Sequence, residues 1–166
     1  MTLTSRFVRE ARSEDAARIA AIYNQGIEDR VATFETELRT AGQIGQWFAS
    51  SYVVIVAGED DLIAAYAAAL PYRSRPCYEG VREFSVYVAR ECRGMGHGRA
   101  AMIALIEACR KRGWWKLLSR IFPENTASLR LCHSLGFREV GIYRKHARLD
   151  GLWRDVVIVE KFLLDE

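Results

Sequence analysis

Arg93, Gly94, Gly96 and Gly98 stand close together between a strand-like run, VREFSVYV, and a helix-like run, AAMIALIEACRKR. A backbone with few Cβ atoms can curl closely around a ligand. The start of a helix directly after it offers free N–H groups and the positive end of a dipole to an anion. The chemistry open to such a turn is the cradling of a phosphate or pyrophosphate. Spacing narrows the choice. No Gly-Lys-Ser/Thr follows, as a nucleoside-triphosphate loop requires. The G-x-G-x-x-G spacing is absent, and the turn stands in mid-chain rather than after a first strand. What remains is R-x-x-G-x-G, filled by Arg93, Gly96 and Gly98. An ordinary glycine-rich turn is the plain alternative.

Other reactive side chains are sparse. Arg73 and Arg75 flank Ser74 in a loop, and guanidinium forks suit carboxylate, phosphinate or arsinate oxygens; a pair of surface arginines is the alternative. Cys77, Cys92, Cys109 and Cys132 show no CxxC or paired zinc spacing. His97 and His146 have no partners at metal spacing, so no metal site is expected. Without a disulfide framework, a reducing compartment is expected.

These residues need elements to position them. Arg6–Ala11 reads as a strand, followed by a helix capped by Ser13 and running to about Ile27. Glu28–Glu37 reads as a loop around Phe34, and Thr40–Ser50 as a second helix. Tyr52–Ala57 and Leu62–Leu70 form a hairpin across the acidic turn Gly58-Glu59-Asp60-Asp61. Pro71–Gly80 is a loop, Val81–Val88 a strand, and a helix follows the glycine turn to about Arg112, with Gly113 past its end. Lys116–Phe122 is a strand, Asn125 or Thr126 starts a helix through Leu135, and Phe137–Tyr143 and Val156–Leu164 close the chain around a turn at Asp150-Gly151. The sum is an α/β chain: a mixed sheet with helices on its faces.

Bulk properties agree with one domain over residues 1–166. Half of the 166 residues are hydrophobic, and the net charge of +3 is too small to argue for nucleic acid. The longest basic run, Arg110-Lys111-Arg112, ends a helix, where cations suit the dipole. The N-terminal MTLTSRFVRE lacks an apolar signal core, and no apolar run reaches the roughly 18–20 residues that cross a bilayer. A soluble, cytoplasmic protein without membrane association is expected.

Three separated segments resemble the GNAT superfamily of acyl-CoA-dependent N-acyltransferases: SVYV followed by R-G-M-G-H-G, the N-x-x-S start at Asn125–Ser128, and the turn Leu135-Gly136-Phe137. Narrower stretches resemble its phosphinothricin and arsinothricin N-acetyltransferase branch: Ile22–Thr40, Pro71–Gly80, Glu83–Val88 and Asp150–Lys161. Two positions depart from that branch. Arg154 stands where phosphinothricin enzymes usually carry a histidine, and Cys132 where many members have a tyrosine acid. The resemblance implies a mixed, mostly antiparallel sheet of about seven strands with about four helices, acetyl-CoA as co-substrate, and a homodimer.

It also implies roles. The backbone of Val86, Tyr87 and Val88 would hydrogen-bond the pantetheine arm, with one N–H polarising the thioester carbonyl. N–H groups of Gly94, Met95, Gly96, His97, Gly98 and Arg99 would bind pyrophosphate, with Arg93 and Arg99 adding charge, and Asn125 would contact the cofactor. An acceptor α-amine has a pKa of ~8 to 9 and arrives largely as ammonium. Glu83 is the candidate carboxylate to orient it and take its proton; a solvated glutamate paired with Arg82 is the alternative. Arg73 and Arg75 would hold acceptor anions, and Thr33 and Phe34 would line the acceptor side, Phe34 equally as a core plug. Cys132, with a free-thiol pKa of ~8.5, could protonate the departing thiolate, as could Tyr143 or His133 through water; a buried structural cysteine is the alternative.

The expected reaction is acetyl transfer to the α-amine of a small glutamate analogue: arsinothricin, phosphinothricin or methionine sulfoximine. The alternatives are another amine (a polyamine, an aminoglycoside or a peptide N-terminus) or a non-catalytic acyl-CoA sensor.

Overall fold

Alanine and β-branched residues build the centre of the molecule. VVIVAGE and LIAAYAAALP are buried almost throughout, as strands covered on both faces must be. They pair antiparallel as β2 (Val53–Glu59) and β3 (Leu62–Pro71). The computed structural model describes residues 3–165. Residues 1, 2 and 166, the ends of the expected 1–166 domain and part of the N-terminal segment, lie outside the described residues.

Five further strands complete one sheet: β1 (Arg6–Glu10), β4 (Val81–Val88), β5 (Lys116–Ile121), β6 (Arg138–Leu149) and β7 (Leu152–Phe162). Their order is β1-β2-β3-β4-β5-β7-β6, and every pairing is antiparallel except β4 with β5. Among the described residues, four α-helices cover the sheet: α1 (Ala16–Asp29), α2 (Ala41–Gly45), α3 (His97–Lys111) and α4 (Thr126–Ser134). The seven strands and four helices are the architecture the resemblance implies.

Each face has its own core. Met102, Leu105 and Cys109 of α3 pack with Phe84, Leu117 and Val159 on one side. Ile19 and Ile22 of α1 pack with Ile44, Val56 and Tyr66 on the other. β4 contributes to both by its alternation: Phe84 and Val86 turn to the first core, Tyr87 to the second.

Several boundaries differ from expectation, each for a local reason. Ser13 opens a 3-10 turn rather than capping α1, and Asp15 reaches back to accept the Arg12 N–H at 2.7 Å. The Thr40–Ser50 helix is cut to α2 plus a 3-10 turn over Gln46–Ala49. Thr40 and Gln43 cap it reciprocally, but Gly42 and Gly45 weaken its continuation. The last hairpin is longer than expected because Asp150 and Gly151, both at positive φ (51° and 78°), form a tight turn, and the strands extend right up to it.

Gly26 on α1 lets that helix lie against the Tyr87 ring, which a Cβ there would overlap. The ring cannot easily yield, being stacked on Tyr66 (centroids 5.6 Å apart) and edge-on to Tyr23 (5.1 Å). Gly26→Ala is therefore expected to destabilise the fold by about 1–3 kcal/mol, the scale of overpacking, as read from the urea unfolding midpoint. An unchanged midpoint would show that α1 can shift without cost.

Candidate active site

β4 and β5 pair only over Val81–Glu83 and Lys116–Leu118. Beyond Glu83, β4 stays paired with β3 while β5 turns away. Ser119 Oγ donates to the Phe84 carbonyl at 2.9 Å, at the point of divergence. Peptide groups alternate sides along an antiparallel strand. Ala89 N–H donates to the Ala64 carbonyl and Tyr72 N–H to the Val81 carbonyl, which fixes the phase. Residues 83, 85 and 87 thus turn their peptide groups to β3, and residues 84, 86 and 88 turn theirs to the fork. Val86 and Val88 present backbone there as an edge strand does. Tyr87 does not: its backbone pairs with Tyr66, and only its ring reaches the opening, which corrects the expectation that all three peptides face a ligand.

Two adjoining cavities occupy the fork. The larger, about 750 Å³, is bounded by Tyr23, Trp47 and Leu70 on one side and by Arg120 and Phe122 on the other. The smaller, about 330 Å³, lies among Asp29, Val88, Arg93, Gly94 and Leu131. Val86, Tyr87, Asn125 and Ser128 line both.

The glycine turn leads from the smaller cavity into α3. Gly94 and Gly96 have φ of 76° and 87°, values that suit glycine. Gly98 serves closeness instead: a Cβ there would meet Val88 Cγ2 at 3.0 Å. The first bond of α3 runs from Ala100 N–H to the Gly96 carbonyl, which leaves the preceding amides as the free donors of a helix start. This cradle fits a pyrophosphate. The side chains around it are otherwise engaged. Asp29 accepts from Arg90 at 2.8 Å and Arg93 at 2.7 Å. The Arg90 hydrogen bond holds the Asp29 carboxyl below its usual range, helped by Arg93 and opposed by burial. Arg99 donates to Ser134 Oγ at 2.7 Å. The His97 ring is buried beside Glu59, so only its backbone is left for the turn, and Met95 lines neither cavity. Asn125 Oδ1 caps α4 by accepting the Ser128 N–H at 3.3 Å, leaving its NH₂ for the cavities.

Glu83 lines the larger cavity. Arg82 points to the opposite face, its guanidinium 3.7 Å from the centroid of Trp114. The partner of Glu83 is Arg120, whose Nη2 and Nε donate to Oε1 at 2.6 and 3.0 Å. Sequence reasoning missed Arg120, because what brings it to Glu83 is lateral pairing: Leu118 pairs with Glu83, and Arg120 is two residues on. Thr33 and Phe34 also line this cavity. Phe34 is wall and plug at once, packed edge-on to Phe122 at 4.8 Å.

Three residues expected at the site lie elsewhere. Arg73 and Arg75 are exposed and line neither cavity, Arg73 lying over the Tyr72 ring. Cys132 is fully buried in the α3-side core, and burial pushes its thiol up to about 12. A group that weakly acidic, buried and lining neither cavity is core, not a proton donor. Of the other acid candidates, His133 pairs with Glu139, while Tyr143 stacks on His146, which does line the larger cavity. The site thus joins a half-buried carboxylate, a strand edge open to an extended ligand arm, and an anion cradle.

Known proteins resemble this chain over most of its length. The acetyltransferase (GNAT) family model matches residues 19–137. The phosphinothricin N-acetyltransferase of Alcaligenes faecalis is 32% identical over 93% of this chain and 81% of its own length. The L-methionine sulfoximine/L-methionine sulfone acetyltransferase of Salmonella typhimurium is 31% identical over 96% and 95%. An acetyltransferase structure from Salmonella typhimurium, with acetyl-CoA as its cofactor, superposes with a TM-score of 0.93 at 28% identity, covering 98% of this chain and 96% of that one.

Asp29→Asn should weaken acetyl-CoA binding about tenfold at pH 7 by calorimetry, the scale of one lost charge-assisted hydrogen bond. Because the carboxyl sits below its ordinary value of 3.8, the stability it adds is whole above that value. It is lost as pH falls through the lowered one, so parent and variant should converge in acid. Equal binding at pH 7 would show that the clamp does not shape the cradle.

Proposed function

The chain belongs to the acetyltransferase (GNAT) family and is an acyl-CoA-dependent N-acetyltransferase; from that premise we propose that it acetylates the α-amine of a small glutamate-like amino acid. Arsinothricin, phosphinothricin and methionine sulfoximine are the acceptors of choice, and their acetylation would confer resistance. The observation that carries this reading is Glu83, a half-buried carboxylate that lines the larger cavity and is held by Arg120. The names of the phosphinothricin and methionine sulfoximine relatives support the acceptor class.

Acetyl-CoA supplies the activated acetyl group. In this reading the glycine turn and the first amides of α3 hold its pyrophosphate. The Val86 and Val88 peptides hold its arm, and one of their N–H groups is available to a carbonyl oxygen where negative charge develops. Glu83 orients the acceptor ammonium and takes its proton, directly or through water. Thr33, Phe34, Tyr23 and Trp47 wall the acceptor space.

The proposed assembly is a homodimer. Val140, Ile142, Tyr143, Leu152 and Trp153 are exposed on the final hairpin, 48–66% accessible, and β6 ends the sheet. Apolar side chains clustered on an edge hairpin call for cover. Sedimentation should give twice the 18.9 kDa of one chain; a monomer would refute the assembly. No helix of the described residues is long and apolar enough to cross a membrane, and four free cysteines suit the cytoplasm.

Thiol release from acetyl-CoA, measured against the three proposed acceptors, glutamate, spermidine, an aminoglycoside and a short peptide, tests the function. High kcat/KM confined to the first three is expected; turnover of only the cationic amines or the peptide would overturn the acceptor class. Glu83→Gln should lower kcat by about 10²–10⁴-fold with acetyl-CoA affinity retained. Unchanged turnover near pH 7 would remove Glu83 as the base.

A further inference from the structure

Among the described residues lining the larger cavity, Arg120 carries the one lysine or arginine side chain, against the carboxylates of Glu35, Glu37 and Glu83. Glu35 is paired with Arg39 at 3.0 Å, and Glu37 lies on the exposed rim. Inside, the charges reduce to one pair, Glu83 with Arg120. Its form is unusual. Both Arg120 donors meet the same oxygen, Oε1, rather than one oxygen each as in a fork-to-fork contact. The Arg120 side chain is 49% exposed and that of Glu83 28%, so the pair is accessible from the cavity.

An α-amino acid carries an ammonium and a carboxylate on one carbon. Beside this pair it can exchange one ion pair for two, ammonium to Glu83 and carboxylate to the guanidinium fork. Net charge is unchanged, and neither protein group is left unpaired. An amine without a carboxylate has no such exchange. It can pair only with the free Oε2 of Glu83 while the fork stays on Oε1, so it gains one contact where an α-amino acid gains two. We infer that Arg120 receives the acceptor's α-carboxylate, and that the Glu83–Arg120 pair thereby selects α-amino acids over simple amines. This rests on the proposed amino-acid function. It also supplies the anion-binding role expected of Arg73 and Arg75, which line neither cavity.

The test compares L-methionine sulfone with its α-carboxamide, which keeps the amine and side chain and loses the negative charge; the less basic amine of the carboxamide is the same for both enzymes and cancels when their ratios are compared. The readout is the ratio of their kcat/KM values in the parent and in Arg120→Gln, both checked for folding and acetyl-CoA binding. Any effect of the variant on the placement of Glu83 falls on both acceptors and cancels in the ratio. The parent should prefer the acid by about 100-fold, the scale of a charged hydrogen bond, and the variant should lose most of that preference. Arg120→Lys, retaining the charge without the fork, should keep an intermediate ratio. A parent ratio near unity, or one that Arg120→Gln leaves unchanged, overturns the role of Arg120 while the acetyltransferase reading for amino acids stands. Absence of turnover with every α-amino acid tested overturns both.

Discussion

The parting of β4 from β5 is the constraint on which the site depends. A parallel pair continued to the end of β4 would use the backbone of Val86 and Val88 within the sheet. Because pairing stops at Glu83 and Leu118, those groups become an edge inside the molecule. An edge strand is normally a liability, open to pairing with another chain. Here it lies between the covered cores of the two faces, where it is open to an extended arm. Ser119 occupies the crotch by bonding the Phe84 carbonyl, satisfying the first acceptor that the divergence would expose. The same divergence creates the adjoining cavities and leaves Glu83, the last β4 residue paired with β5, on the wall of the larger one.

Around that opening the charges are largely balanced within the chain. Asp29 answers Arg90 and Arg93 at the glycine turn, and Glu83 answers Arg120 in the larger cavity. The anion cradle is therefore chiefly backbone: free amides of α3 and a turn relaxed by Gly94 and Gly96. Fixed backbone dipoles need no reorganisation when an anion arrives, whereas a long cationic side chain loses rotamer freedom. Asp29 makes the arrangement sturdier by joining the end of α1 to the residues that enter the turn.

Much of this was legible in the sequence. Gly94, Gly96 and Gly98 announced a close backbone approach, and the alternation of Val81–Val88 separated Glu83, Ser85 and Tyr87 from Phe84 and Val86. What periodicity does not carry is lateral pairing. Nothing in β4 alone says where β5 leaves it, so neither the fork nor Arg120 could be placed. The opposite error has the same origin. Arg73 and Arg75 have suitable chemistry, but two guanidinium groups in a loop carry no coordinate, and in the chain they sit outside both cavities. The helix expected through Thr40–Ser50 failed for a subtler reason: its start signal was sound, while two glycines made its continuation depend on packing.

The floor of the site narrows the proton chemistry further. Tyr23, Tyr66 and Tyr87 form a continuous aromatic cluster with Trp47. Burial raises all three phenols above their ordinary value, chiefly by desolvation of the charged form. Near neutral pH they remain protonated and, as acids, are weaker than free tyrosine. Cys132 is removed from the reaction by the same physics in the opposite core. On the proposed reading, Glu83 takes the proton from the ammonium, and the departing thiolate is protonated by water. That division is chemically reasonable: a thiolate is a stable leaving group near neutral pH and gains its proton after departure, whereas an ammonium must lose its proton before it can attack. One well-placed carboxylate meets the more demanding requirement, and the neutral tyrosine floor keeps its charge from being matched by anything but Arg120 or the acceptor.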